Sequence, residues 1–139
     1  MIILDTNVLS EAMRQAPDPL VIAWLDHQIV QTLSTTAITV GEIATGIAVL
    51  PTGSKSKALQ NKFTTILTAL EHRVIPFDEN AALAIGRIFA IAKAAGFGMG
   101  LADAQIAAIA TIAGATVATR DTASFLAVGV KVINPWVSF

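Results

Sequence analysis

The chain has 139 residues, enough for one domain, with 54% hydrophobic and only 14% charged side chains and a net charge of −1. The absence of cysteine excludes disulfides, thiol nucleophiles and cysteine-based zinc sites, and two isolated histidines, His27 and His72, argue against a Ser-His-Asp triad or a His-rich metal centre. A mean hydropathy of +0.67 would suit a membrane protein, but the longest uncharged run, 104–119, contains Gln105, three threonines and Gly114 and is not a span.

Met1 leads directly into Ile2-Ile3-Leu4, with no basic segment or cleavage site, so no signal peptide and a cytoplasmic location are expected. Ile2–Leu4 reads as the first strand. Val21, Trp24, Leu25 and Ile29 then mark the apolar face of a helix. Gln31–Ser34 reads as a second strand, followed by helices with apolar faces at Ile43, Gly46, Ile47 and Leu50 and at Leu59, Phe63, Ile66, Leu67 and Leu70. Pro51-Thr52-Gly53-Ser54 separates these two helices. Arg73–Phe77 reads as a third strand, and helices over Asp78–Ala95 and Leu101–Ala113 are closed by Gly96 and Gly114. Ala115–Thr119 and Val130–Ile133 complete the strands. No long linker or repeat divides the sequence, so residues 1–139 are expected to form one unit, an α/β sandwich around a mainly parallel sheet.

In such a fold ligands bind at the carboxyl edge of the sheet, near a topological switch point. Four acids map to that edge. Asp5 ends the first strand, Glu42 is expected in the first turn of the helix after the second, Asp103 in the first turn of the helix leading to the fourth, and Asp121 follows the fourth. Each has an ordinary structural role available: Thr39 with Glu42 fits a capping box, Asp103 complements a helix dipole, and Asp5 and Asp121 are placed as N-caps. Asp78 and Glu79, which also open a helix, are assigned to that structural role. Convergence of four carboxylates is a different matter, because two unit charges 4 Å apart repel by about 4 kcal/mol at an effective dielectric near 20, several times the worth of a cap. Such a cluster calls for a cation, and oxygen donors without cysteine favour Mg²⁺ or Mn²⁺ over zinc. Carboxylate-held Mg²⁺ is suited to activating water for attack on a phosphodiester.

Asp5-Thr6-Asn7-Val8-Leu9-Ser10-Glu11, Thr39-Val40-Gly41-Glu42-Ile43, Ala102-Asp103-Ala104-Gln105-Ile106-Ala107 and Ala118-Thr119-Arg120-Asp121 resemble the four acidic motifs of PIN-domain nucleases. Pro76-Phe77-Asp78 and Val132-Ile133-Asn134-Pro135-Trp136 are similar to the VapC toxin branch that includes the FitB and plasmid-stability StbB proteins. The resemblance covers nearly the whole chain. It implies a single PIN domain, a three-layer sandwich with a five-stranded parallel sheet in the order 3-2-1-4-5. It also implies an Mg²⁺- or Mn²⁺-dependent endonuclease of single-stranded RNA, the toxin of a toxin–antitoxin pair. By matched position Asp5, Asp103 and Asp121 are the metal ligands, Glu42 binds metal-bound water or accepts a proton, and Asn7 and Thr119 support the ligands by hydrogen bonds. The implied partners are a VapB- or FitA-like antitoxin, through which alone DNA is met, a second copy of the chain, and RNA.

RNA needs cations, and Arg14, Arg120 and Lys93 are the candidates by sequence proximity. Glu11 is either a fifth acid near the site, as the family resemblance suggests, or a solvated helix residue, and the second is expected because surface acids are the norm. Gly96-Phe97-Gly98-Met99-Gly100 has no preceding strand and is not a dinucleotide motif; it is expected to be a helix stop and mobile entrance loop. Trp24, Phe63, Phe77 and Phe89 sit at core-like spacings, leaving stacking on bases a minor part. The long helices 59–70 and 81–95 are the expected interface elements for the apolar surplus. A net charge of −1 does not exclude RNA, since setting aside four acids at one site leaves +3 on the rest. Two other functions use the same residues: a non-catalytic scaffold that acts with its antitoxin on an operator, and a metal-dependent DNA nuclease or phosphatase.

Overall fold

Ile2-Ile3-Leu4 is apolar on both faces, as a strand covered on both sides must be, and it forms the middle of the sheet. The computed structural model describes residues 1–137. The strands β1 (Ile2–Leu4), β2 (Leu33–Thr36), β3 (Val74–Ile75), β4 (Thr116–Ala118) and β5 (Val132–Ile133) run parallel in the order β3-β2-β1-β4-β5. Ile3 pairs in register with Ser34 on one side and Val117 on the other. The order reverses at β1, so the carboxyl ends of β1 and β4 flank the switch point.

Helices α1 (Thr6–Ala12), α2 (Pro19–Asp26), α3 (Ala37–Ala48), α4 (Ser54–Ala69), α5 (Glu79–Ala94), α6 (Leu101–Ala113) and α7 (Thr122–Ala127) cover the two faces. Alternation along the strands divides the core. Ile3 and Val117 point into a cluster with Ile88, Ala92, Ile106, Ile109 and Phe125. Leu4 and Ala118 point into the other, with Val8, Leu9, Val21, Trp24, Ile43, Phe63 and Leu70. Helix α6 is buried from Ala104 to Ala110 apart from half-buried Gln105. Its alanines let it lie close to α5, against which it packs more extensively than any other helix pair. The left-handed Gly114 (φ 63°) stops α6 and turns the chain into β4. Among the described residues no helix is long and apolar enough to cross a membrane.

Several boundaries differ from the sequence expectation for local reasons. The second strand begins two residues later, because Val30–Thr32 closes into a 3₁₀ turn in which Thr32 Oγ1 donates to the Ile29 carbonyl at 2.6 Å. The first apolar helix ends at Asp26, leaving Ile29 68% exposed. β3 stops before Pro76, which has no N–H for the ladder. Val130 is tied back to α7 through the Phe125 carbonyl rather than entering β5. Helices α1 and α7 span too few residues for periodicity to reveal them.

Two side-chain expectations change as well. Glu11 is 6% exposed, not solvated: its carboxylate accepts from the Asp18 N–H at 3.0 Å and pairs with Arg14 at 3.2 Å, bracing the turn between α1 and α2. Phe89 is exposed on α5 rather than in the core. Of the two helices expected to carry an interface, α4 turns Phe63, and the Leu70 that ends it, into the core, packs Leu59, Ile66 and Leu67 against it, and shows solvent mainly Lys, Gln, Asn and Thr. α5 exposes Leu83, Phe89 and Ile91, beside Ile112 of α6.

Candidate active site

Three of the acids are carried to the sheet edge by the end of a regular element, and Glu42 by the second turn of one. Asp5 directly follows β1, and its backbone N–H donates to the Ala118 carbonyl at 3.0 Å, so β1 and β4 stay paired up to the carboxylate. Asp121 stands at the head of α7, two residues beyond Thr119, whose own N–H donates to the Ile133 carbonyl. Asp103 lies in the first turn of α6. Glu42 lies in the second turn of α3, not the first, because α3 starts directly after β2 with Thr36 as its N-cap. Thr36 Oγ1 accepts from the Thr39 N–H at 3.1 Å, so Thr39 is an internal residue and the expected Thr39–Glu42 capping box does not form.

The four carboxylates are electrostatic neighbours. The Asp103 carboxyl is pushed up to about 6, first by burial and then by the charges of Asp5, Asp121 and Glu42. Asp5 is also raised, chiefly by burial, with Glu42 and Asp121 adding to the effect and hydrogen bonds from Thr119 and Thr6 opposing it. Among the described residues the ion pairs are Arg14–Glu11 and Arg73–Glu71, so no side-chain cation neutralises this cluster. Nor do three of these side chains close around one point as a ready-made metal cage among the described residues. The arrangement is graded in exposure, with Asp5 4% exposed, Asp103 half-buried, and Glu42 and Asp121 open to solvent.

A hydrogen-bond web fixes the inner half of the site. Thr119 Oγ1 donates to Asp5 Oδ2 at 2.8 Å and accepts from the Asp121 N–H at 3.1 Å. Asn7 Nδ2 donates to Thr119 Oγ1 at 3.2 Å and makes a long 3.5 Å contact with Asp5 Oδ2, while Asn7 Oδ1 accepts from the Arg120 N–H at 3.2 Å. Asp5 Oδ1 accepts from the Thr6 N–H at 2.8 Å and so caps α1 at the same time. Asp121, by contrast, holds the N-cap position without a capping bond; its Oδ2 accepts from Ser124 Oγ at 3.4 Å. Asp78 does cap α5, accepting from the Ala81 N–H, the structural role expected of it.

The outer half rests on hydroxyls that spacing alone did not single out. Thr6 Oγ1 lies 2.7 Å from Glu42 Oε1 and 3.1 Å from Thr39 Oγ1, which is 3.4 Å from Thr36 Oγ1. Thr6 immediately follows the first acid and Thr36 immediately precedes an apolar helical run. An N-cap search would have found the second, but nothing local ties the first to Glu42. An open groove of about 520 Å³, lined by Ala37, Gly41, Glu42, Thr45, Ala102 and Gln105, runs between the starts of α3 and α6.

The three candidate cations fall in different places. Arg120 sits between Thr119 and Asp121, with its guanidinium over the Trp136 ring. Arg14 lies beyond the far end of α1, whose seven residues span about 10 Å, and is paired with Glu11. Lys93 is exposed in the last turn of α5.

Residues 2–131 match the PIN domain family. The chain is 46% identical to the VapC ribonuclease Y4jK of Sinorhizobium fredii, over 98% of each chain. It is 44% identical to Toxin FitB of Neisseria gonorrhoeae, over 98% of this chain and 99% of that one. The solved structure of FitAB bound to the IR36 DNA fragment superimposes with a TM-score of 0.93 at 44% identity, covering 100% of this chain and 98% of that one. With the acids at the switch point of a 3-2-1-4-5 parallel sheet, the chain belongs to the PIN-domain family, in its VapC branch.

Proposed function

We propose that the chain is the toxin of a toxin–antitoxin pair and a divalent-cation-dependent endonuclease of single-stranded RNA. One observation carries the chemistry: four carboxylates meet at one sheet edge, where burial first and then the charges of the other three push Asp103 up to about 6, and among the described residues no ion pair neutralises them. The donor set fits Mg²⁺ or Mn²⁺, hard ions that take oxygen ligands. Mg²⁺ keeps several waters and needs one or two carboxylates, so an open edge suits it better than a closed cage.

Asp5, Asp103 and Asp121 are the residues that would hold the ion, and when bound it supplies charge neutralisation and water activation at the phosphodiester. Thr119 donates to Asp5 Oδ2, which fixes the carboxylate and favours its charged form against the effect of burial, and Asn7 holds the Thr119 hydroxyl in place. Thr6 holds Glu42 by Oε1, which leaves Oε2 to accept a proton from the attacking water. The groove between α3 and α6 gives an extended strand a path past Glu42.

The relatives named as a VapC ribonuclease and as Toxin FitB support this reading. That FitAB is known bound to a DNA fragment favours one addition, an assembly with an antitoxin that contacts DNA. Incubation of structured and unstructured RNA pools with Mg²⁺ or Mn²⁺ tests the enzyme. Cleavage by the wild type, reduced at least about a hundredfold in Asp5→Asn, is expected. Equal cleavage by both proteins removes the mechanism.

A further inference from the structure

Arg120 stands in the chain between two residues of the site, Thr119 and Asp121, yet among the described residues it makes no ion pair. Its guanidinium lies instead over the indole of Trp136, 5.1 Å from the ring centroid. The tail that brings Trp136 there is itself fixed. The Trp136 N–H donates to Asn134 Oδ1 at 2.9 Å, and the half-buried ring packs on the cluster around Leu4, Val8 and Ala118. On its other side Arg120 is tied to the site through its backbone N–H on Asn7 Oδ1. A cation adjacent in sequence to Asp121 thus rests on a π face instead of a carboxylate, and the residue remains exposed.

We propose that Trp136 is a positioning residue that holds the Arg120 guanidinium at the rim of the acid cluster, as the docking point for a phosphate of single-stranded RNA beside the scissile one. This rests on the endoribonuclease reading above. An Arg folded onto Asp121 or Asp5 would neutralise the carboxylates that a divalent cation needs. An Arg held on the indole leaves them free and offers a phosphate the planar fork it binds well. The C-terminal Asn134-Pro135-Trp136 run thereby acquires a role in substrate binding.

The test uses the full-length chain, a fluorescent single-stranded RNA oligonucleotide for binding and the same RNA for cleavage, with Trp136→Leu, Trp136→Phe, Arg120→Gln and the Trp136→Leu/Arg120→Gln double variant. Folding of each is checked by circular dichroism and melting. Arg120→Gln should flatten the slope of log affinity against log salt by about 0.7, the effect of one lost phosphate contact on a single strand. Trp136→Leu should weaken RNA binding and raise KM about two- to fivefold with kcat little changed, and Trp136→Phe, which keeps an aromatic face, should recover most of the loss. The double variant should bind no more weakly than Arg120→Gln alone. Additive losses, or a Trp136→Phe variant as impaired as Trp136→Leu, overturn the proposal. So does a wild-type salt slope unchanged in Arg120→Gln. Failure of the wild type to cleave any RNA refutes the endonuclease reading alone, since the binding and salt measurements still decide the role of the pair.

Discussion

Helix α6 carries Asp103 in its first turn and, from Ala104 to Ala110, side chains that are buried except for half-buried Gln105. In the buried turns small apolar residues meet α5 and the sheet, and close packing stabilises the fold. One turn earlier the same helix brings a carboxylate towards three others, at a cost that shows as the raised Asp103 carboxyl. The two regions are rigidly continuous. The stability of the alanine-rich part is what keeps the repelling acids in place, so site and core should respond to substitution with opposite signs.

The largest expected effect is in the core. Ile106 is fully buried in α6, and Ile106→Ala should lower stability by about 2–5 kcal/mol through lost burial and the cavity left behind. Chemical denaturation measures this. A loss under about 1 kcal/mol would mean that the helix is held mainly by something other than its packing.

Asp103→Asn should act in the other direction. A carboxyl raised above its ordinary value of 3.8 destabilises the fold when ionised, fully above pH 6, and not at all below about 4, where it is protonated in both folded and unfolded chains. At pH 7–8 without divalent ions the substitution should therefore stabilise, on the order of 1–2 kcal/mol after allowance for partial exposure. The gain should vanish as the pH falls from 6 to 4. Added Mg²⁺ should raise the wild-type melting temperature and shift the variant less, because an ion that binds only the folded site stabilises it, by about 2.7 kcal/mol at a hundred times its dissociation constant. Destabilisation by Asp103→Asn in metal-free buffer at pH 8 would show that the acids do not repel as described.

The same contrast explains what the sequence disclosed. The core side was legible because burial leaves a pattern: short continuous apolar runs in the doubly covered strands β1 and β4, and recurring apolar positions in helices such as α3 and α4. The acids could be assigned to one edge because Asp5 and Asp121 follow adjacent parallel strands, and Asp103 and Glu42 lie near the starts of helices that run antiparallel to the sheet. Elements without a full period, α1 and α7, were not visible, and contacts across long sequence separation were expected only where the family resemblance implied them, as for Thr119 and Asn7 beside Asp5. Glu11 shows the limit: an acid on a short helix reads as solvated until the fold places the Asp18 N–H against it. Trp136 over Arg120 is a contact of the same kind, between the tail and the loop after β4.

Thr6 gives the smallest and sharpest break in the comparison. Its hydroxyl is the described hydrogen-bond partner of Glu42 and also meets Thr39, itself 3.4 Å from the Thr36 cap, so a chain of hydroxyls runs from the buried end of β2 to the exposed carboxylate. Thr6→Val keeps the shape and removes the donor. Because Glu42 is exposed, water replaces the lost bond and stability should fall by only about 0.5–1.5 kcal/mol. Its orientation, however, is no longer fixed, and if Glu42 accepts the proton in the reaction, kcat should fall while KM for RNA stays near the wild-type value. Thr6→Ser, which restores the donor, should recover kcat. A Thr6→Val enzyme with unchanged kcat would place Glu42 outside the proton transfer. A stability loss as large as that of Ile106→Ala would place Thr6 with the core instead of the site.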